Sequence, residues 1–210
     1  MNEIIPPALN SIVQQFIEEF KHTTWLEFIA VVTGIASVIF SRRENVLVYP
    51  VGMINTSIFI YIYIKSGLFA DASVNFYYTV MSVVGWIMWT SKKQGQQVLV
   101  LTKSDARDWR NAIIFFIVAW LVLYVLLVNF TPSTVPLADS FTSGAAFTGM
   151  WLMNKKKLEN WIWWIITDLA SVPLNVSKHL AFTGFQYSVF LVLAVMGYIT
   201  WKKKIENAHP

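Results

Sequence analysis

Val80-Met81-Ser82-Val83-Val84-Gly85-Trp86-Ile87-Met88-Trp89 returns 112 residues later as Val192-Leu193-Ala194-Val195-Met196-Gly197-Tyr198-Ile199-Thr200-Trp201, with five identities in ten positions. The same offset aligns 27–92 with 139–204 without a gap. Only 8 of those 66 pairs are identical, so the likeness is concentrated in the quoted stretch. Other features fall into register as well: the acidic starts Glu27 and Asp139, the basic first loops, and the polar pairs Asn55-Thr56 and Thr167-Asp168. The pattern predicts two related halves.

Both halves are too apolar for a water-soluble globule. Of the 210 residues, 56% are apolar and 13% charged, against roughly 45–50% and about 25% in an average soluble domain. Apolar runs fall at 25–40, 46–64, 72–90, 111–130, 137–153, 161–176 and 180–201, each near the ~20 residues a helix needs to cross a bilayer. Thr142, Ser143, Gly144 and Thr148 dilute the fifth run; small hydroxylated residues of this kind suit a helix that faces other helices.

Three spans are an odd number, so a second copy joined directly to the first would run upside down. One extra span, at 111–130, restores the direction. The expected fold is an all-α integral membrane protein with seven transmembrane helices in a 3-1-3 arrangement. Its two parallel three-helix repeats are related by an axis along the membrane normal, as in the SWEET carriers. The segments are then 1–24, an extracytoplasmic amphipathic segment; 25–93, the first repeat; 108–130, the linker helix; and 137–204, the second repeat. In the first segment Leu9, Ile12, Val13, Phe16, Ile17 and Phe20 form the stripe of an interfacial helix.

Alternating spans deliver 13 of the 16 Lys and Arg to one side, leaving Lys21, Lys65 and Lys178 on the other. Cations collect on the cytoplasmic face, which puts the amino terminus outside and the carboxyl terminus inside. The net charge of +4 is explained by that face and calls for no nucleic-acid partner. Residues 1–7 lack a basic start and a cleavage site, so no removable signal peptide is expected. With no cysteine, three scattered histidines (His22, His179, His209) and no HExxH, GxSxG or Walker loop, the chain offers no metal centre, cofactor site or hydrolase machinery. The seventh run also lacks the lysine that a retinal pigment would need.

Asp168 sits about 8 residues into the sixth run, roughly 12 Å deep, where a carboxylate costs on the order of 2.5–3.5 kcal/mol. It should therefore face a polar interior, and its partner there is expected to be a cationic substrate. Trp161, Trp164, Asp168, Ser171 and Asn175 share one helical stripe; aromatic faces attract organic cations and stack on flat heterocycles. Trp163, off that stripe, is expected to face lipid or the interfacial belt. Tyr49, Gly52, Thr56, Phe59 and Tyr63, with Asn55 beside them, form the matching stripe of the first copy. The third run offers Asn75, Tyr78, Ser82, Trp86 and Trp89, and the seventh offers Gln186, Tyr187 and Tyr198. The expected substrate-binding set is Asn55, Thr56, Asn75, Trp86, Trp161, Trp164, Asp168, Asn175, Gln186 and Tyr187. A lone Asp168 has no second acid or Ser-base pair beside it, so an intramembrane enzyme is not expected.

Trp25-Leu26-Glu27, Gly52-Met53-Ile54-Asn55 and Asn75-Phe76-Tyr77 with Gly85-Trp86 and Trp89 resemble the first half of the PnuC-type vitamin transporters. Glu159-Asn160-Trp161 with Trp164 (a WxxW element), Gln186-Tyr187 and the run from Gly197 to Trp201 resemble the second half. The resemblance covers nearly the whole chain, 25–201. It implies uptake of nicotinamide riboside, or in subgroups thiamine or riboflavin, across the bacterial inner membrane by facilitated diffusion, with trapping by a cytoplasmic kinase. It also implies a pocket using Trp161, Trp164, Asn55 and the Asn75 position. The chain departs from the family pattern in carrying Asn75 where glutamine is usual, Asp168 where asparagine is usual, and Val48 where a polar or aromatic residue is usual. The expected partners are a small cationic vitamin and membrane lipid, with a homo-oligomer left open.

Overall fold

The computed structural model describes residues 7–93, 96–97, 99–178 and 180–208; the reading of the first six residues, of His179 and of His209 falls outside them. Eight helices carry the fold: α1 (Pro7–His22), α2 (Trp25–Arg42), α3 (Val48–Lys65), α4 (Phe69–Thr90), α5 (Ala106–Phe130), α6 (Pro136–Asn154), α7 (Asn160–Ser177) and α8 (Ala181–Ala208). A short hairpin of two-residue strands, β1 (Lys92–Lys93) and β2 (Gln96–Gln97), lies between α4 and α5. Of the described helices, α2, α5 and α8 are by themselves long and apolar enough to cross a membrane.

Helix starts are written locally. Thr24 and Glu27 form a capping box on α2, with the Glu27 carboxylate accepting from the Thr24 N–H at 2.6 Å. Asp105 and Asp108 do the same for α5. Each box satisfies backbone donors that the first turn leaves unpaired. The α8 start is capped from elsewhere: the Glu19 carboxylate of α1 accepts from the Ala181 and Phe182 N–H groups at 2.7 and 3.0 Å. Phe16 and Phe20 pack on Phe182 beside that cap, so the apolar face of α1 lies on α8.

Six helices close a ring in which α2 packs on α3, α3 on α4, α4 on α6, α6 on α7, α7 on α8 and α8 back on α2. Outside the ring, α5 leans on α6 and α1 on α8. The α5–α6 contact is close because Gly144 of α6 sits against the Trp120 backbone. Helices surrounded by acyl chains gain little from hydrophobic exclusion and associate through packing and hydrogen bonds, so small residues set their approach. Accordingly α6, in contact with α4, α5 and α7, buries Gly144, Ala145, Ala146, Thr148 and Gly149.

One end of the ring is densely packed and basic. The Tyr49 hydroxyl donates to Asn154 Oδ1 at 3.1 Å, and the Asn154 amide donates to the Met81 carbonyl at 2.8 Å. Asp108 at the start of α5 pairs with Lys157 in the α6–α7 turn. Thr102 bonds the backbone of Lys156 and Leu158 across the same turn. The ends of α2, α4, α6 and α8 and the starts of α3, α5 and α7 therefore share this end.

Residues that the sequence offset relates make the same contacts in exchanged roles. The Trp89 indole N–H donates to the Met153 carbonyl at 3.2 Å, and the Trp201 indole N–H donates to the Ser41 carbonyl at 3.1 Å. Tyr49 meets Trp89 edge-on at 5.3 Å, and Trp161 meets Trp201 edge-on at 5.5 Å. Gly85 leaves no room for a side chain beside Tyr49, and a Cβ on Gly197 would lie 2.6 Å from the Trp161 ring. The five identities of the quoted stretch include the glycine and the tryptophan that these contacts require.

Candidate functional site

Asp168 lies in the middle of α7, 3% exposed. Among the described residues no Lys or Arg pairs with it, since the ion pairs formed all lie at the two ends of the bundle or on α1. No hydrogen bond to its carboxylate is found among them either. One turn further along α7, Ser171 is buried and neighbours the Tyr187 hydroxyl of α8. Tyr78 of α4 and Tyr187 both lie within electrostatic range of the Asp168 carboxylate. Helices from both halves thus converge on this carboxylate.

The wall beyond Tyr78 is aromatic. Phe147 of α6 stacks on Tyr77 at 3.9 Å and meets Tyr78 edge-on at 5.6 Å, and the Tyr77 hydroxyl donates to the Phe147 carbonyl. On the α3 side Thr56, the offset counterpart of Asp168, is buried with its hydroxyl 2.7 Å from that of Thr79. Where α2 adjoins α8, a Cβ on Gly34 would touch Phe190. The interior surface therefore combines hydroxyls, aromatic rings and, at Asp168, a buried carboxylate with no ion pair among the described residues. A cation of modest size with a flat ring is the complement to such a surface.

The other expected site residues divide into groups. Trp161 is 1% exposed, sealed between Gly197 and Trp201, and its indole N–H has no acceptor among the described residues. Trp164, half-buried, lies over Gly149 of α6, whose missing side chain makes room for the ring. The amides already have partners: Asn55 donates across to the Ala30 carbonyl of α2 at 2.6 Å, while Asn75 and Asn175 donate within their own helices to the Asp71 and Ser171 carbonyls at 2.9 and 2.8 Å. Gln186 is half-buried one residue before Tyr187. Trp86 stands apart at 40% exposed. The inward stripe of α4 runs through Ser82, Gly85 and Trp89, and Trp86 follows Gly85 by one step of about 100°.

Trp163 does not face lipid. It is 6% exposed, clustered with Ala112 of α5 and Ala145 and Leu152 of α6, its ring 5.0 Å from Phe116. Spacing along α7 fixes its angle to Trp164 but says nothing of what packs on that side, and the helix outside the ring supplies the cover. Phe147 and Thr79 carry no charge or amide to single them out, though Tyr78 sits on the α4 stripe four residues before Ser82 and its place was readable.

A family model described as nicotinamide mononucleotide transporter matches residues 24–203. The chain belongs to that family. Among its relatives, nicotinamide riboside transporter PnuC of Neisseria mucosa is 25% identical, the match spanning 93% of this chain and 78% of the relative. PnuC of Escherichia coli is 22% identical over 85% of each chain. The riboflavin/roseoflavin transporter RibM of Streptomyces davaonensis is 24% identical over 92% of this chain and 91% of its own. The crystal structure of the vitamin B3 transporter PnuC superposes with a TM-score of 0.71 at 22% identity, covering 96% of this chain and 91% of that one. The fold is shared, and this member of the family is a membrane transporter and not an enzyme.

Proposed function

We propose that this chain takes up nicotinamide riboside across the bacterial inner membrane by facilitated diffusion, with a cytoplasmic kinase trapping the product. The observation that carries the substrate is Asp168, a buried carboxylate with no cation beside it among the described residues. Nicotinamide riboside brings a fixed positive charge on a flat ring. Thr56, Ser171 and Tyr187 line the same interior and suit its hydroxyls. Trp164 stacks at the basic side of the site with Trp161 packed behind it, while Asn55, Asn75, Asn175 and Gln186 shape its polar margin. Thiamine, also a flat-ringed cation, is the second reading, favoured by the same carboxylate. Riboflavin, carried by the relative RibM, is neutral and makes no use of it.

The membrane arrangement belongs to the same reading. α2 to α4 and α6 to α8 form two parallel triplets, α5 is the linker between them, and α1 rests on the extracytoplasmic surface. The exchanged contacts of Trp89 and Trp201 support a two-fold axis along the membrane normal, about which the triplets rock around the site. The basic end faces the cytoplasm, so the amino terminus is outside.

The deciding experiment is binding of nicotinamide riboside, thiamine and riboflavin, side by side, to purified protein by quenching of its tryptophan fluorescence. The expected order is nicotinamide riboside first and riboflavin last; tightest binding of riboflavin would overturn the cationic assignment. Uptake into proteoliposomes should proceed without ATP or an ion gradient, and strict dependence on a proton or sodium gradient would discard facilitated diffusion.

A further inference from the structure

At the basic end, where α2 of one triplet meets α8 of the other, an open hollow of about 470 Å³ is lined by Arg42, Met196, Ile199, Thr200, Lys203 and Lys204. Its five α8 residues follow the three-one-three-one spacing of a single helical stripe. Met196 and Ile199, 39% and 47% exposed, form its floor on the bilayer side. Lys203 and Lys204 lie one to two turns further along, roughly 10 Å beyond Met196 at about 1.5 Å per residue. The hollow is therefore apolar toward the membrane interior and cationic toward the membrane surface.

Arg42 is held in place by groups that leave its charge unused. Its Nε donates to the Thr200 hydroxyl at 3.1 Å and Nη1 lies 3.8 Å from the Met196 sulfur. Among the described residues no carboxylate pairs with Arg42 or Lys203, and nearby Glu44 is taken by Lys156 and Lys204. A guanidinium has five N–H donors in a fixed fork suited to phosphate oxygens, so donors remain after these two contacts. Basic hollows between helices at the cytoplasmic membrane surface take anionic lipid headgroups.

We propose that this hollow is a binding site for one anionic phospholipid, with its phosphate on Arg42 and Lys203 and the first acyl carbons on Met196 and Ile199. The inference needs these helices to lie in a bilayer and is independent of which vitamin is carried. A free inorganic phosphate would satisfy the cations but leave the apolar floor without a partner, which favours the lipid. Because the walls belong to different triplets, the bound lipid ties them together at one end.

The test uses the full chain, purified in detergent with added phosphatidylglycerol or phosphatidylcholine, and reads lipid retained by native mass spectrometry together with the thermal midpoint. Wild type should retain one phosphatidylglycerol and gain in midpoint, with neither effect from phosphatidylcholine or inorganic phosphate. Arg42→Gln with Lys203→Gln should weaken retention about tenfold or more, on the order of 1.4 kcal/mol per tenfold, while Lys92→Gln, elsewhere at the basic end, should not. Lys203→Gln alone, an exposed change that leaves the Thr200 contact intact, should weaken it in part and serves if the double variant fails to fold. Equal retention in Lys203→Gln and wild type, equal losses in Lys203→Gln and Lys92→Gln, or a midpoint raised as much by inorganic phosphate would each overturn the site.

Discussion

Glu44 and Lys156, related to each other by the 112-residue offset, meet in an ion pair of 2.8 Å. Both have left-handed backbones, φ 60° and 52°, and they are the positive-φ residues other than glycine among those described. Lys156 is 2% exposed, its ammonium 4.9 Å from the centre of the Trp89 ring. Equivalent turns of the two halves thus meet through side chains of opposite charge, which two identical copies could not do.

Glu44→Gln strands a buried ammonium and should destabilise the fold by about 3 kcal/mol, within the range for breaking a buried pair. The exchange Glu44→Lys with Lys156→Glu should recover only part of that loss, because Lys204 also pairs with Glu44 and the Trp89 ring lies beside the Lys156 ammonium. Thermal midpoints of the two single variants and the exchange provide the check; losses that simply add would show the residues to be uncoupled.

Asp168→Asn keeps the shape of the side chain and removes its charge. Affinity for nicotinamide riboside should fall about tenfold or more, roughly 1.4 kcal/mol, while riboflavin binding and expression stay level. Titrations that find equal affinity for the cation in both proteins would end the counter-ion role.

The neighbouring tryptophans of α7 should separate cleanly. Trp164→Ala is expected to cost about 1–2 kcal/mol of substrate binding through lost stacking. Trp163→Ala should instead cost about 3–5 kcal/mol of stability, as for a large aromatic removed from a packed cluster, with substrate affinity unchanged in the protein that folds. Binding and unfolding measured on both variants would show a reversed pattern if the assignment were wrong.

Gly197→Ala places a methyl against the face of Trp161. Overpacking of this kind costs about 1–3 kcal/mol and should also shift the tryptophan emission spectrum. An unchanged midpoint and spectrum would mean that α7 and α8 separate freely.

The repeat made much of this architecture readable. Gly85 with Gly197 and Trp89 with Trp201 are identical because each pair makes the same contact twice, so the offset carried contact information where overall identity was low. Asp168 was readable because a carboxylate among apolar residues must be turned inward. The amides were less legible. Asn75 and Asn175 donate to carbonyls four residues back in their own helices, an option open to any helical asparagine and invisible in spacing. Trp86 and Trp163 show the same limit from opposite sides: helical period sets the angle between residues on one helix, while neighbouring helices decide which of those angles are covered.

α5 covers the outer side of α6, and among the described residues no comparable helix covers α2, whose Phe28 and Val32 remain exposed. With α5 on one flank only, the bundle is unequal in outline although its interior contacts are repeated. Molecules that approach the two flanks therefore meet different surfaces, the outward side of α5 on one and the exposed Phe28 and Val32 of α2 on the other.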